Sequence, residues 1–274
     1  MKILIAADME GITGVVNWDQ VTSTHSEYSR FRRLMTGDVN AAIEGALAAG
    51  ASEIIVVDGH SYGYNILIEE LNPLARLNSG SGSPLGMVQG IDASIDGVFF
   101  VGYHACAGSK NAILDHTWSS ATVGGVWLND MLVGEAGLNA AVCGHFGVPV
   151  LMITGDQTVC GEAKALLGSL EVAVVKQASG RMSAECLPPD ITREKICEAA
   201  ARAVHKHRSK QSPPPFSLPA PIQLRVAFFS SDMADRASLL PGVERLNGRE
   251  LSFSSPDMLT AYREFRAAVS LARG

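Results

Sequence analysis

The hydrophobic positions of the chain form short continuous runs that alternate with stretches of helical periodicity. The first run is "KILIAA" (2–7), a helical pattern follows in "TGDVNAAIEGALAAG" (36–50), and a second run lies in "EIIVVDGH" (53–60). This order predicts a strand, a helix and a strand, as in the βαβ unit of parallel sheets.

The same alternation continues along the chain. Further strands are predicted in "GVFFVGYH", "VPVLMITG" and "VAVVK", and further helices in "GEAGLNAAVCGHFG" and "DQTVCGEAKALLG". Because these runs are apolar throughout, both faces of the sheet are expected to be covered. The sequence therefore predicts an α/β fold with a doubly wound, largely parallel sheet.

The pattern changes in two places. In "GGVWLNDMLVGE" (124–135), Asn129 and Asp130 separate two short apolar arms, which predicts a hairpin or tight turn. A long helix is predicted near 190–207, and the proline-rich "SKQSPPPFSLPAP" after it is typical of a linker, followed by two short strands and a closing helix. We therefore expect an α/β domain over residues 1–210 and a smaller α+β domain over residues 211–274.

Composition narrows the class of protein. The 274 residues are 47% hydrophobic, and the net charge of −6 includes no basic stripe, so a nucleic-acid partner is not expected. The apolar run at the N-terminus is too short for the core of a signal peptide, and no later apolar run approaches ~18 residues. We therefore expect a cytoplasmic protein without a membrane partner. Five scattered cysteines without a C-x-x-C pair indicate reduced thiols.

Ionisable residues follow three of the predicted strands. Asp8 and Glu10 follow the first strand, His60 follows the second, and His104 follows "GVFFVGY". Glu135 begins a predicted helix and adds a third carboxylate. Each residue alone has an ordinary explanation as a cap or turn residue. Their shared position matters more, because ligands bind outside the carboxyl ends of strands in open parallel sheets.

Charge repulsion indicates what these side chains hold. Three carboxylates in one partly desolvated pocket repel one another, and one of them has to take up a proton unless a cation is present. Two divalent ions match three acids and two neutral histidines, with one carboxylate bridging the ions. Zinc is the first choice for this donor set, with Mn²⁺ or Co²⁺ as alternatives. Nucleotide binding is disfavoured, because "DMEGITG" lacks the G-x-G-x-x-G spacing.

Five segments resemble one known family over nearly the whole chain. They are "DMEGITG", "DGHSYGYNILIEELNP", "GYHACAG", "DHTW" and "LNDMLVGEAGLNAAVCGHFGVPVLMITGD". The family is that of the D-aminopeptidases among the M55 metallopeptidases. The resemblance implies a site for two zinc ions per subunit, with Asp8 bridging the metals and Glu10, His60, His104 and Glu135 as the other ligands.

The resemblance also implies a function. It predicts an aminopeptidase that removes the N-terminal residue of short peptides, D-alanine peptides among them, through a metal-activated water. His116 in "DHTW" is implied to be catalytic, and its role as nucleophile, general base or stabiliser of the tetrahedral intermediate stays open. Relatives assemble as rings, so we expect a homo-oligomer such as a decamer, with the small C-terminal domain as an assembly element.

Two other functions fit the same residues. A dimetal phosphoester hydrolase uses a similar ligand set, but extra cations for phosphate are expected near the site and only Lys110 lies close in sequence. A non-catalytic peptide-binding or transport-associated protein has little use for an open metal site. One departure from the family concerns Cys106, where relatives often carry arginine, and it bears on how a substrate carboxylate is held.

Overall fold

A computed structural model of residues 1–274 contains two sheets and six α-helices. The strands are β1 (Lys2–Ala7), β2 (Glu53–Asp58), β3 (Ala75–Asn78), β4 (Gly97–Val101), β5 (Val123–Leu128), β6 (Met131–Leu132), β7 (Val150–Asp156), β8 (Glu171–Gly180), β9 (Ser183–Cys186), β10 (Ile222–Phe228), β11 (Glu244–Arg245) and β12 (Glu250–Ser255). The helices are α1 (Tyr28–Ala48), α2 (Glu135–His145), α3 (Gln157–Leu167), α4 (Pro189–Arg208), α5 (Ser231–Ala237) and α6 (Met258–Arg273). None of the helices combines the length and the apolar character that a membrane crossing needs.

The large sheet has the strand order β3-β2-β1-β4-β7-β8-β9, and only β9 runs antiparallel to its neighbour. The chain moves outward from β1 through β2 to β3, and then returns to the other side of β1 for β4. Strand order therefore reverses between β1 and β4, which is the switch point at which ligands bind in such sheets. The predicted α/β class with a largely parallel sheet is confirmed.

Alternate residues of β1 belong to different halves of the core. Ile3 and Ile5 lie in the apolar cluster formed with α1 and α4, whereas Leu4 and Ala6 lie in the cluster formed with α2, α3, α6 and the small sheet. Both faces of β1 are thus covered, which explains why the strand reads as one continuous apolar run.

Helix α1 begins eight residues before the predicted start at residue 36, at Tyr28. The added turns bury Tyr28, Phe31 and Met35, at the spacing of one helix face, and leave three arginines on the other side. The earlier start was missed because Thr36 and Gly37 resemble a helix boundary. Gly37 is instead helical, and the Arg193 side chain of α4 lies where a Cβ would project.

The small sheet is antiparallel, with the order β11-β12-β10-β5-β6. The predicted turn joins β5 to β6, and both Asn129 and Asp130 have positive φ, as a tight hairpin turn requires. Since β5 and β6 precede residue 210 in the chain, the small sheet draws strands from both sides of the predicted domain boundary. The division at residue 210 as a boundary between folding units stays a prediction.

Candidate metal centre

The predicted site residues meet at the carboxyl edge of the large sheet. Asp8 immediately follows β1, Glu10 lies in the same loop, His60 follows β2 and His104 follows β4. Because β2, β1 and β4 are adjacent in the sheet, these loops are adjacent as well. Glu135 is the first residue of α2, and all five side chains are buried.

The five residues form two sets that share Asp8. His60 Nδ1 lies 3.3 Å from Asp8 Oδ1 and 3.1 Å from Glu10 Oε2. On the other side, His104 Nε2 lies 3.4 Å from Asp8 Oδ2 and 3.1 Å from Glu135 Oε1. Each oxygen of Asp8 therefore faces a different histidine, and each histidine faces one further carboxylate.

Backbone carbonyls fix the orientation of both imidazoles. His60 Nε2 lies 2.9 Å from the carbonyl oxygen of Val21, and His104 Nδ1 lies 3.0 Å from that of Ala105. A carbonyl oxygen only accepts hydrogen bonds, so these ring nitrogens carry the protons and donate. In the neutral rings, His60 Nδ1 and His104 Nε2 consequently present lone pairs to the carboxylates, as metal-binding histidines do.

Three buried polar atoms at the centre of this cluster have no hydrogen-bond partner: Asp8 Oδ2, Glu10 Oε2 and His104 Nε2. Buried polar atoms are almost always paired, and leaving a charged one unpaired costs several kcal/mol. The ligand atoms of Asp8, Glu10 and His104 also lie within 4.8 Å of one another. Buried carboxylate and imidazole donors that converge without partners fit divalent cations, and zinc in particular.

The pKa values of the cluster reflect an excess of negative charge. Burial, together with the charge of Glu10, raises the pKa of Asp8 to about 7. Burial by itself lowers the pKa of His104, but the carboxylates of Glu135, Asp8 and Glu10 together outweigh it and raise that pKa to about 10. Protons thus compensate the acids when no cation is bound, and divalent cations would displace them.

His116 lies beside the five residues, in the loop between β4 and β5. Its ring stacks on that of His104 with 3.8 Å between the ring centroids. Trp18 packs edge-to-face against it, with 5.4 Å between the ring centroids. Nδ1 lies 2.8 Å from the carbonyl oxygen of Leu114, so this nitrogen carries the proton of the neutral ring. Burial and the neighbouring His104 lower the pKa of His116. Nε2, 3.6 Å from Glu135 Oε1, is therefore free to accept a proton.

The cluster opens into a cleft of about 560 Å³. Two tryptophans, Trp18 and Trp118, and a run of small polar residues over 22–24 form much of its wall. The Trp118 backbone N–H donates to Glu135 Oε1 over 2.7 Å and so fixes that carboxylate. Five site residues face the cleft, namely Asp8, Glu10, His60, His116 and Glu135.

Lys176 of β8 supports the loop that carries Glu10. This residue was not identified from the sequence. Its ammonium group is fully buried and donates to the carbonyl oxygens of Glu10, Ile12 and Val15 over 2.7, 2.9 and 2.7 Å. Burial lowers its pKa to about 8, so at neutral pH the group keeps its charge and all three donors. The only signal in the sequence was a lysine at the end of the apolar run "VAVVK".

Cys106 lies outside the cleft. Its Sγ lies 3.4 Å from Ser109 Oγ and faces Glu162, and the three residues line a separate apolar cavity behind His104. Burial raises the pKa of the thiol, which disfavours the thiolate that binds zinc. Cys106 is not among the residues that line the cleft, and the effect of position 106 on how a substrate carboxylate is held stays a prediction.

Gly11 allows the loop that carries Glu10 to lie against the β4 loop. A Cβ at this position would stand 1.9 Å from the backbone oxygen of Tyr103, immediately before His104. We expect Gly11→Ala to separate the two loops, to destabilise the fold by about 1–3 kcal/mol and to lower the metal content measured by elemental analysis. Gly161→Ala is the control, because its Cβ meets nothing within 4 Å.

The Gly161 position is helical, so the control is expected to leave stability unchanged or to raise it by about 0.5–1 kcal/mol. Equal metal content in the Gly11→Ala protein and the wild type would contradict the role assigned to this close approach.

Comparison with known proteins gives the same picture. A D-aminopeptidase of Bacillus subtilis (strain 168) is 36% identical over 273 residues, which cover 99% of this chain and 98% of the relative. A solved structure titled "Zn-dependent D-aminopeptidase DppA from Bacillus subtilis, a self-compartmentalizing protease" aligns with a TM-score of 0.96 at 36% identity. The alignment covers 100% of this chain and 98% of that one.

The family model of the M55 peptidases, described as D-aminopeptidase, matches residues 1–267. The match spans both sheets and every residue of the candidate metal centre. With the similarity found to the B. subtilis D-aminopeptidase in sequence and in structure, it shows that this chain belongs to the D-aminopeptidase family of M55 peptidases.

Proposed function

We propose that the protein is a zinc-dependent aminopeptidase that hydrolyses the N-terminal residue of short peptides, with D-alanine peptides as the substrate class. One observation carries the proposal: three partnerless buried atoms converge on a cleft at the switch point of the sheet. Family membership favours this function over a phosphoester hydrolase or a peptide carrier.

The proposed site holds two zinc ions per subunit, with Asp8 as the shared ligand. Glu10 and His60 complete one set and Glu135 and His104 the other, in keeping with the two groups of short contacts on either side of Asp8. The donor set is also compatible with Mn²⁺ or Co²⁺. Zinc is preferred because of the imidazole and carboxylate ligands and because the solved relative is described as zinc-dependent.

Bound divalent cations supply an activated water and polarise the scissile carbonyl. His116 is the proposed catalytic residue, acting through Nε2 as a general base and then as an acid toward the leaving amine. The carbonyl oxygen of Leu114 accepts a hydrogen bond from Nδ1 of His116 and keeps a proton there. The catalytic proton is therefore taken up and released at Nε2. The free amine at the N-terminus of a peptide would occupy one of the metals or a neighbouring carboxylate.

We further propose that the protein is a homo-oligomer that forms a ring such as a decamer. The solved relative is described as self-compartmentalizing. Within the proposed assembly domain, residues 211–274, large apolar side chains are exposed, among them Leu239 at 77% and Phe229 at 49%. Exposed apolar side chains of this size are typical of contact surfaces between subunits.

The metal content tests the proposal first. We expect about two zinc ions per chain in the wild type and a clear loss in Asp8→Asn, because the shared ligand serves both ions. Asp190→Asn is the matched control, since this side chain is 97% exposed on α4. In parallel, hydrolysis of D-Ala-D-Ala and L-Ala-L-Ala is followed before chelation, after it, and after zinc is restored. Metal-free wild type with undiminished activity in chelator would overturn the proposal.

A further inference from the structure

The cleft at the metal centre continues into a second cavity of about 260 Å³. The two cavities form one groove, because they share the lining residues Gly59, Ser61, Met87, Trp118 and Arg273. We call this the substrate groove. One end is the metal centre with Asp8, Glu10, His60 and Glu135, and the other lies between the loop at 80–83 and the C-terminal end of α6.

Arg273 is the only lysine or arginine that lines the inner cleft, and it lines the outer cavity as well. Its side chain forms no ion pair with any acid of the chain. Its one hydrogen bond is a long one, from Nη2 to the carbonyl oxygen of Trp118 over 3.4 Å. Arginine has five N–H donors in a planar fork, so most of those of Arg273 are available to a ligand.

Two neighbouring arginines are already engaged. Arg181 lies over the ring of Trp18, 5.7 Å from its centroid, and donates to Asp115 Oδ1 over 2.9 Å. Arg266 lines the outer cavity, and its Nη1 donates to the carbonyl oxygens of Ser83 and Pro84 over 2.8 and 2.7 Å. Arg273 is therefore the cation best placed to receive an anion inside the groove.

We infer that Arg273 binds the C-terminal carboxylate of a dipeptide whose N-terminal residue lies at the metal centre. The inference rests on the proposed function and names the substrate class more narrowly. Arginine and a carboxylate form a paired, charge-assisted hydrogen bond, so this part of the groove matches a substrate that ends in a free carboxylate.

The distance between Glu135 and Arg273 limits the length of a substrate that joins them. The N–H of Trp118 donates to Glu135 Oε1 over 2.7 Å, while its carbonyl accepts from Arg273. One residue of backbone thus separates the two side chains, which puts Arg273 Nη2 at most about 10 Å from Glu135 Oε1. An extended dipeptide spans about 7 Å, so it reaches both side chains when its terminal hydrogen bonds lie at an angle to its length.

The test compares two substrates that differ only at the C-terminus, D-Ala-D-Ala and D-alanyl-D-alanine amide. The readout is the ratio of their kcat/KM values. We expect the wild type to favour the free acid, and Arg273→Gln to lower the ratio by about 10–100-fold through loss of a charged hydrogen-bond pair. Arg273→Lys restores part of the ratio. Arg263→Gln, an exposed arginine on the same helix, keeps the wild-type ratio.

Calorimetric titration of the zinc-loaded proteins measures binding of the acid and of the amide without requiring cleavage. It therefore tests the inference separately from the proposed function. If the wild type cleaves neither dipeptide, the proposed function fails. The inference still stands if the acid binds more tightly than the amide and Arg273→Gln removes the difference. An acid-to-amide ratio that is unchanged in Arg273→Gln, in kinetics and in binding alike, overturns the inference.

Discussion

Replacement of His116 by glutamine is expected to lower kcat by about 10²–10⁴-fold, the range that general acid–base residues contribute. Glutamine keeps a polar side chain of similar reach but cannot accept and return a proton at neutral pH. The zinc content is expected to stay at the wild-type level, because the two sets of contacts around Asp8 do not include His116. The measurement is steady-state kinetics with D-Ala-D-Ala beside elemental analysis of the same samples.

The pH profile gives a second readout of the same residue. Burial lowers the pKa of His116 below its usual value near 6.5, so the ring is neutral at pH 7. A general base acts in its neutral form, and kcat/KM of the wild type should therefore fall as the pH drops through that lowered pKa. We expect this acidic limb to be missing from the His116→Gln profile.

His145→Gln is the matched control, because His145 is exposed at the end of α2, away from the cleft. It should keep the wild-type rate and profile. A ligand atom of His116 lies within 4.8 Å of those of His104 and Glu135, so His116 is also placed to bind a metal. If His116→Gln loses zinc, the residue is a metal ligand rather than a base. A rate within threefold of the wild type would remove His116 from the mechanism.

The metal-binding cluster could be predicted from the sequence because its residues follow strands. Parallel strands end at one edge of a sheet, so Asp8, His60 and His104 had to lie near one another once the strands were recognised. His116 has no such anchor. It lies in the irregular stretch between β4 and β5, and only the resemblance to a family identified it.

Features that depend on distant contacts could not be predicted from local patterns. The pairing of β5 with β10 joins residues about a hundred positions apart, and nothing in either segment specifies the partner. The groove likewise brings Arg273, at the end of the chain, to a cleft built from its beginning. Lysine is usually exposed, whereas Lys176 is buried, so its position could not be predicted from its residue type.

Lys176→Met is expected to destabilise the protein by about 3–5 kcal/mol, the cost typical of removing one partner from a buried polar network. Methionine matches the volume of the lysine stem, but it leaves the carbonyl oxygens of Glu10, Ile12 and Val15 without a donor. Denaturant unfolding of zinc-loaded and chelated protein measures the loss. Lys164→Met, at an exposed position of α3, is the control and should change stability by less than about 0.5 kcal/mol.

The same substitution separates support of the loop from general stability. The three carbonyl groups belong to the segment that carries Glu10, so their release should weaken zinc binding in protein that is still folded. Zinc affinity is therefore measured well below the unfolding transition of the Lys176→Met protein. A loss of stability with wild-type zinc affinity would mean that Lys176 serves the fold alone. A loss of both would show that a single buried ammonium group holds the first strand's loop in the geometry that the metal requires.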